Sequence, residues 1–459
     1  MKEKKNPKKR AAFSGGIGYI LAVAGSAVGL GNIWRFPYLA AKYGGGIFLL
    51  VYLLLTLTFG YTMIMSETSI GRMTKKSAIG AFSHFGNGRL LKIGGFINAI
   101  IPVLIVPYYS VIGGWVTKYL FEYLRGHAHQ VAAEGYFGGF ITDTKMVVFW
   151  FALFAIMTFA VILGGVEQGI ERVSKIMMPL LIILAVILSV YSVTRPGALE
   201  GVKFLLVPKL EDFSLMTVVA ALGQMFYSLS IAMGILYTYG SYLPREVDVE
   251  MSTSRVELVD TLVAVLAGLM IIPAVFAFFG GDSSKVLQSG PSLMFVTLPN
   301  VFASMGAGTV AGAAFFLLVL MAALTSAISL VETSVSTFTD ELGVSRTQAI
   351  VIMAVVMVVV GGASGAGYGV LDFVTIFKMQ ILDFLDFLTN SVMMPIAALA
   401  TCYLVVRVIT IEKLTEHITG SSRFQRRKLY NIVIRFFAPV FLAVILISAI
   451  LNALGIISL

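Results

Sequence analysis

Long runs of apolar residues, separated by short polar stretches, form the main pattern of this chain. A helix needs about 17 or more apolar residues to cross a bilayer, whose hydrocarbon core is about 30 Å thick. Eleven runs meet that requirement, and we predict spans at approximately 13–37, 45–70, 91–124, 147–164, 171–193, 215–242, 257–281, 308–338, 346–362, 373–406 and 430–457. The shorter apolar stretch at 290–304 is predicted to be a re-entrant or surface hairpin.

The composition agrees with a chain that lies in the membrane. Hydrophobic residues make up 58% of it and charged residues only 12%, whereas soluble domains carry about 25% charged residues. The 45 glycines suit close contact between membrane helices. The four histidines have no cysteine or carboxylate partners at ligand spacing, which argues against a transition-metal site. We therefore predict an all-α polytopic membrane protein.

Basic residues predict the orientation of the chain. The first ten residues hold six Lys or Arg, and further basic residues follow each even-numbered span. Because Lys and Arg favour the cytoplasmic side, the segment 1–12 is predicted to be cytoplasmic, and an odd number of spans puts the C-terminus outside the cell inner membrane. The net charge of +9 is thus interpreted as a topology signal. Nucleic-acid binding is not expected, since no basic domain with interleaved aromatic residues follows.

The first predicted span contains an unusual concentration of glycine. In Ala24–Pro37, AGSAVGLGNIWRFP, three glycines fall within seven residues, at positions 25, 29 and 31. Glycine weakens a helix, and a broken helix inside a membrane leaves peptide groups unpaired at a cost of several kcal/mol each. Since Asn32 and Arg35 follow directly, we interpret the break as a place where the freed groups bind a ligand.

Two further stretches extend this interpretation. In Gly223–Tyr242, small and hydroxyl residues cluster near the middle of span six, five spans after the first break. Interrupted spans at corresponding positions of two halves are typical of secondary transporters with inverted repeats. In span eight, Ala323–Leu330 carries three hydroxyls whose oxygens suit a hard cation such as Na⁺. The alternatives are ordinary packing of small residues and hydroxyls bonded to their own helix backbone.

Four motifs closely resemble the neurotransmitter:sodium symporter family, in its bacterial amino-acid branch. They are GSAVGLGNIWRFP, GQMFYSLSIAMG, LTSAISL and GIERVSKIMMP, in this order along the chain. The resemblance implies the LeuT-type fold, with one transmembrane domain over 13–459 and spans one and six unwound at mid-membrane. Its 5+5 inverted repeat would cover about 13–193 and 215–406, with one extra helix at about 430–457 that brings the total to 11 spans.

The resemblance further implies two sodium sites. Site one would use Ala27, Asn32, Ser228 and an acidic or amide residue of span seven, together with the carboxylate of the bound amino acid. We assign the span-seven position to Asp260. Site two would use Gly25, Val28, Ala322, Thr325 and Ser326. Chloride-dependent relatives balance the two ionic charges with an anion, and here Asp260 can supply that charge, so chloride is not expected to be required. The neighbouring Glu257 is interpreted as a solvated residue at the helix end.

The substrate pocket follows from the same resemblance. Tyr109 would meet the substrate carboxylate, and Tyr227 would form an aromatic lid. Gly29 stands where monoamine transporters carry an aspartate, which favours a free amino acid. Ala232 adds a methyl group that favours medium aliphatic side chains over bulky aromatic ones. The complete set of predicted substrate-binding residues is Ser26, Ala27, Gly29, Leu30, Gly31, Ile105, Tyr109, Tyr227, Ser228, Ser230, Met233, Ser326, Ser329 and Leu330.

Charged residues at the two ends predict gates. Arg35 is expected to pair with Asp386 on the outside, with Asp383 as the weaker candidate, and Arg10 with Asp340 on the inside. An interaction of Arg10 with lipid headgroups is the alternative to the inner pair. The sequence thus predicts a Na⁺-coupled amino-acid symporter, with a membrane sensor that binds without transporting as the alternative. Neither an enzyme nor an obligate protein partner is expected.

Overall fold

The computed structural model describes residues 10–280, 291–421 and 423–453 of the chain. Nine helices in these ranges are long and apolar enough to cross a membrane. They are α3 (Gly46–Thr74), α5 (Arg89–Leu124), α8 (Thr144–Leu163), α9 (Val166–Val193), α13 (Val249–Phe278), α15 (Gly308–Leu342), α16 (Arg346–Ala366), α17 (Ile381–Ile409) and α19 (Arg427–Asn452).

Shorter helices complete the chain. Two of them, α1 (Gly16–Ala27) and α2 (Gly31–Lys42), pass the same apolarity test as a bent pair, with an angle of 52° between them. The others are α4 (Ala78–His84), α6 (Ala128–Val131), α7 (Tyr136–Thr142), α10 (Ala198–Leu206), α11 (Leu215–Ser228), α12 (Ile235–Tyr242), α14 (Leu293–Ser304) and α18 (Ile411–Thr419).

The break between α11 and α12 has a clear backbone cause. Ser230, Ala232 and Gly234 have φ angles of 54°, 59° and 70°, and such left-handed residues cannot continue a right-handed helix. Only the last of them is glycine, so the other two adopt a conformation that costs an ordinary residue about 1–2 kcal/mol. Contacts made elsewhere in the protein must therefore hold this segment in place.

The two broken pairs lie at the centre of the molecule. Helix α1 packs against α9, α13 and α15, while α12 packs against α3. In α15, 78% of the most apolar stretch is buried, compared with 33% in α8 and α9. Because most residues of that stretch in α8 and α9 are not buried, we place these two helices at the lipid-facing periphery, around a core that contains the breaks.

Two predicted segments differ in the structure. Span ten was expected from residue 373, but α17 begins at Ile381, because Phe377 and Lys378 adopt positive φ and Ile376 pairs with Met379 in a turn. The stretch 290–304 contains the short helix α14, whose Leu293 and Phe295 are fully buried, so it inserts into the protein rather than lying on its surface. Residues 1–9, 281–290 and 454–459, which carry parts of the predicted basic segment and of spans seven and eleven, lie outside the described residues.

Candidate functional site

The breaks between α1 and α2 and between α11 and α12 meet at a cavity that α5 and α15 complete. Every predicted substrate residue except Ser329 lines it, and Ile235 joins them. The lining residues are Ser26, Ala27, Gly29, Leu30, Gly31, Ile105, Tyr109, Tyr227, Ser228, Ser230, Met233, Ile235, Ser326 and Leu330. Ser329 is a correction: its hydroxyl donates to the Thr325 carbonyl oxygen at 3.0 Å and accepts from the Tyr239 hydroxyl at 3.0 Å.

Two glycines of the first motif are needed because other groups approach the backbone closely. A Cβ atom on Gly29 would lie 2.8 Å from the Ser326 hydroxyl oxygen and 3.2 Å from that of Tyr109. A Cβ atom on Gly31 would lie 2.6 Å from the Tyr227 ring. Side chains larger than hydrogen would therefore displace the residues that line the cavity.

The Tyr227 ring separates this cavity from a second one. Tyr227 lines both, and the second cavity is also lined by Arg35 and Asn390. The Arg35 guanidinium carbon lies 5.3 Å from the centre of the Tyr227 ring. The Tyr227 ring therefore lies between the two cavities.

The predicted first sodium site contains a fully buried carboxylate, that of Asp260. Asn32 Nδ2 donates to Asp260 Oδ1 at 2.8 Å, and the Ser228 hydroxyl donates to the same oxygen at 2.9 Å. The Tyr52 hydroxyl donates to Asp260 Oδ2 at 3.1 Å. All three donors are neutral, so they solvate the negative charge without balancing it, and a cation would be stabilised here. Sequence reasoning missed Tyr52, which lies in an apolar run that contains no distinguishing motif.

The predicted second sodium site brings the end of α1 against α15. The Ser326 hydroxyl oxygen lies 3.5 Å from the carbonyl oxygens of both Gly25 and Val28. The Thr325 hydroxyl oxygen lies 3.0 Å from the Met321 carbonyl oxygen and 3.1 Å from that of Ala322. Hydroxyl and carbonyl oxygens of this kind are the ligands that hard cations prefer.

Ala232 is placed differently from its predicted role. Its methyl group does not line the cavity, and its backbone N–H donates to the two carboxylate oxygens of Glu67 at 3.0 and 3.2 Å. Glu67 is fully buried in α3 and was not identified from the sequence. This carboxylate supplies one of the contacts that hold the left-handed segment between α11 and α12.

The structure brings together the inner pair of charged residues. Arg10 Nη1 donates to the Asp340 carboxylate oxygens at 2.8 and 2.9 Å. The same guanidinium donates to the Ser241 hydroxyl at 2.8 Å and to the Ser336 hydroxyl at 3.1 Å. The segment before α1 is thereby tied to both α12 and α15.

The two residues predicted to form the outer gate are not in contact in this structure. Within the described residues, Arg35 and Asp386 make no ion pair at 4.0 Å or less, and Arg35 lies instead over the Tyr227 ring. Asp386 accepts from Asn390 Nδ2 at 2.6 Å and from the Tyr108 hydroxyl at 3.2 Å. The Asp386 carboxylate, which was predicted to pair with Arg35, thus accepts hydrogen bonds from two neutral donors.

Glu257 is also a correction, because it is buried rather than solvated. Its side chain is 3% exposed and pairs with Arg426 at 3.2 Å. Arg426 reaches it from the segment immediately before α19.

Comparisons with known proteins show the family of this chain. Residues 10–134 and 122–456 match the model of the Sodium:neurotransmitter symporter family. The uncharacterized sodium-dependent transporter YhdH of Bacillus subtilis is 35% identical over 98% of this chain and 99% of its own length. An uncharacterized sodium-dependent transporter of Haemophilus influenzae is 31% identical over 96% of this chain and 99% of its own.

A more distant relative and a solved structure are also similar. The sodium- and chloride-dependent taurine transporter of Rattus norvegicus is 27% identical over 73% of this chain and 61% of its own. The crystal structure of MhsT in complex with L-phenylalanine has a TM-score of 0.86 and 38% identity, covering 96% of this chain and 100% of MhsT. This chain is therefore a multi-pass membrane protein that belongs to the sodium:neurotransmitter symporter family, a family of transporters rather than enzymes.

Proposed function

We propose that this protein is a symporter that uses the sodium gradient to import a neutral, hydrophobic amino acid by alternating access. The observation that carries the proposal is the buried Asp260 carboxylate, held by Asn32 and Ser228 beside the cavity between the two helix breaks. A cation bound beside this carboxylate would balance its charge, and Ser228 belongs both to that cluster and to the cavity lining.

The cavity is suited to an amino acid. Half-helices that end at a break offer unpaired N–H and C=O groups, which can hold the substrate carboxylate and amino group. The Tyr109 hydroxyl, 3.4 Å from the Leu30 nitrogen, can donate to the carboxylate. No charged side chain lines the cavity within the described part of the chain, so a charged substrate side chain would be buried without a partner. A bound L-phenylalanine in the similar MhsT structure supports a hydrophobic substrate.

Two sodium ions are proposed per cycle. The first would be bound by Ala27, Asn32, Ser228 and Asp260 together with the substrate carboxylate, and the second by Gly25, Val28, Ala322, Thr325 and Ser326. Contact between the first ion and the carboxylate would couple the two binding events by direct Coulomb attraction. Chloride is not required in this scheme, because Asp260 supplies the balancing charge.

The proposed architecture has 11 spans. The pairs α1–α2 and α11–α12 each count as one span that is unwound at mid-membrane, and the nine long helices supply the rest. The inverted repeats cover about 13–193 and 215–406, and the extra span covers about 430–457. The N-terminus is cytoplasmic and the C-terminus lies outside the plasma membrane. The single domain 13–459 works in lipid, without nucleic acid or an obligate protein partner.

Alternating access would use the two ends of the substrate site. In this structure Arg10 pairs with Asp340, and Arg35 lies over the Tyr227 ring instead of pairing with Asp386. We assign the first pair to a closed cytoplasmic gate and the second to an open outer gate. In the proposed cycle Arg35 and Asp386 draw together above Tyr227 after substrate binds, and the inner pair then separates.

Uptake into proteoliposomes tests the function. Labelled phenylalanine, leucine and methionine should accumulate with an inward Na⁺ gradient and not when choline replaces Na⁺.

Substitutions in the proposed ion sites test the ligands. Asn32→Ala and Thr325→Ala should raise the Na⁺ concentration needed for half-maximal substrate binding. The matched control is Thr333→Ala, whose hydroxyl bonds to the Ser329 carbonyl oxygen at 2.8 Å, away from both ion sites. If the protein binds substrate in a Na⁺-dependent way but does not accumulate it, the sensor alternative is favoured. Unchanged Na⁺ dependence in Asn32→Ala would contradict the first ion site, and unchanged dependence in Thr325→Ala would contradict the second.

A further inference from the structure

A buried carboxylate that the transport site does not use holds the beginning of α1. Glu171, near the start of α9, is only 1% exposed. The Ser14 backbone nitrogen donates to Glu171 Oε2 at 2.8 Å, and the Ser14 hydroxyl donates to Oε1. The carboxylate thus bonds twice to the residue that lies two positions before α1.

The sequence of α1 leaves room for this contact. A Cβ atom on Gly18 would lie 2.2 Å from Glu171 Oε1 and 2.3 Å from its carboxyl carbon. Any larger residue at position 18 would therefore displace the carboxylate. The first N–H groups of a helix have no partner within it and carry a partial positive charge, so a carboxylate beside them is stabilised.

The contact can open without isolating a buried charge. Lys175, one helical turn further along α9, pairs with Glu171 Oε1 at 2.7 Å, and its side chain is 44% exposed. When Ser14 moves away, Lys175 would remain to balance the carboxylate, and water can reach the vacated side. The pair Glu171–Lys175 therefore has two feasible states, with and without Ser14.

The Ser14–Glu171 contact and the Arg10–Asp340 pair join the segment before α1 to different helices. Arg10 ties the segment before α1 to α15 and α12, whereas Glu171 ties it to α9. The far end of α1 carries Gly25 and, just beyond it, Val28, whose carbonyl oxygens belong to the proposed second sodium site. Helix α1 is thus restrained by Glu171 at its beginning and by that site at its end.

We propose that Glu171 is a positioning residue that latches the start of α1 onto α9 and, with the Arg10–Asp340 pair, keeps the cytoplasmic gate closed. The proposal rests on the alternating-access function above. Weakening the latch shifts the population towards the inward-open state, and Na⁺, which favours the closed state through the second site, reverses the shift.

Hydrogen–deuterium exchange on the full chain in detergent tests the latch without requiring transport. Glu171→Gln removes the charge but keeps an acceptor, and Glu167→Gln is the matched control, since Glu167 is exposed on the same helix. Without Na⁺, amide exchange in residues 13–24 should be about ten-fold faster in Glu171→Gln, because the neutral amide oxygen is a weaker acceptor for Ser14 than the carboxylate. Exchange in residues 323–330 of α15 should not change. Glu167→Gln should match the wild type in both regions.

Sodium provides the second measurement. Saturating Na⁺ should restore wild-type protection of residues 13–24 in Glu171→Gln. The Na⁺ concentration that gives half of this protection should be higher in Glu171→Gln than in the wild type. Equal exchange in Glu171→Gln and Glu167→Gln would overturn the proposal, and so would acceleration spread evenly to residues 323–330, which indicates general destabilisation. If Glu171→Gln does not fold, Ser14→Ala decides: faster exchange confined to residues 13–24 supports the latch, and unchanged exchange overturns it. Loss of Na⁺ effects in the wild type would count against the transport function alone.

Discussion

At the scale of single residues, the proposed site depends on a few buried polar groups that lie beside the two helix breaks. Asp260 is the clearest case, because among the described residues its fully buried carboxylate accepts from the neutral donors Asn32, Ser228 and Tyr52. Ala232 is a second, since its left-handed backbone is held by Glu67. Each gives a prediction that a single substitution can test.

Replacing Asp260 should change the anion requirement. The wild type should transport equally in chloride and gluconate buffers, because the carboxylate supplies the negative charge. In Asp260→Ser, uptake in gluconate should fall at least about ten-fold, which corresponds to only 1.4 kcal/mol, and chloride should restore part of it. Asp372→Ser, at an exposed turn, is the control. Strong chloride dependence in the wild type would exclude this role for Asp260.

The size of the pocket should respond to Met233 and not to Ala232. Met233 lines the cavity, so Met233→Ala should enlarge it and favour tryptophan over leucine. Each methylene of side chain that fits or fails to fit an apolar pocket changes the binding free energy by about 1–3 kcal/mol. Ala232→Gly should leave the ranking unchanged, and its effect on stability should be within about 1 kcal/mol, because relief of the left-handed backbone offsets the loss of a buried methyl group. Competition by a panel of amino acids measures the substrate ranking of both variants, and thermal unfolding measures the stability of Ala232→Gly. A changed ranking in Ala232→Gly would show that Ala232 does limit the size of the pocket.

At the scale of helices, charged residues join elements that apolar packing alone would leave free to slide. The segment before α19 is fixed in this way: the Gln425 and Arg426 nitrogens donate to Glu250 at 2.7 and 3.1 Å. The Arg426 side chain pairs with Glu257 and lies over the Tyr61 ring at 4.6 Å. These contacts tie α19 to α13 and α3.

The two partners of this ion pair should contribute unequally to stability. Arg426→Gln leaves the 3%-exposed Glu257 carboxylate without a counter-charge, and we expect a loss of about 3 kcal/mol. Glu257→Gln leaves an arginine that is 35% exposed and can be solvated, so the loss should be about 1 kcal/mol. Thermal unfolding in detergent measures both, with the exposed Arg427→Gln as control. Equal losses, or a larger one for Glu257→Gln, would contradict this account.

At the scale of the whole molecule, the proposed coupling of ion and substrate binding rests on two broken helix pairs within a shell of continuous helices. Helix α1 ends at the proposed ion sites, packs against α9, α13 and α15, and begins at the Arg10 and Glu171 contacts. A ligand that orders the break therefore acts on the packing of the entire core.

This coupling predicts synergy in thermal stability. A ligand at about 100 times its Kd stabilises a protein by roughly 2.7 kcal/mol. Na⁺ and phenylalanine together should stabilise the wild type by more than the sum of their separate effects, because the substrate carboxylate is a proposed ligand of the first ion. The surplus should disappear in Asn32→Ala and persist in Thr333→Ala. Purely additive shifts in the wild type would rule out direct contact between ion and substrate.

Much of this protein can be predicted from the sequence because the signals are local. Runs of apolar residues predict the long helices, and Gly25, Gly29 and Gly31 predict the first break, since a bilayer penalises unpaired backbone groups. These two inferences need only the neighbours of each residue along the chain. The residues of the cavity lining were instead predicted from the family resemblance that the four motifs carry.

The partners of the buried polar groups were decided by the tertiary structure. Tyr52 meets Asp260 across 208 positions, Ala232 meets Glu67 across 165, and Ser14 meets Glu171 across 157. Arg35 turned to Tyr227 instead of Asp386. Such contacts depend on how each helix is rotated about its axis and how deep it lies in the membrane. The apolar composition of a helix does not specify either, because apolar helix surfaces can pack on one another in many ways. The sequence by itself determined the long apolar helices and the two central breaks, because these depend on local composition, and only packing decided which side chains meet.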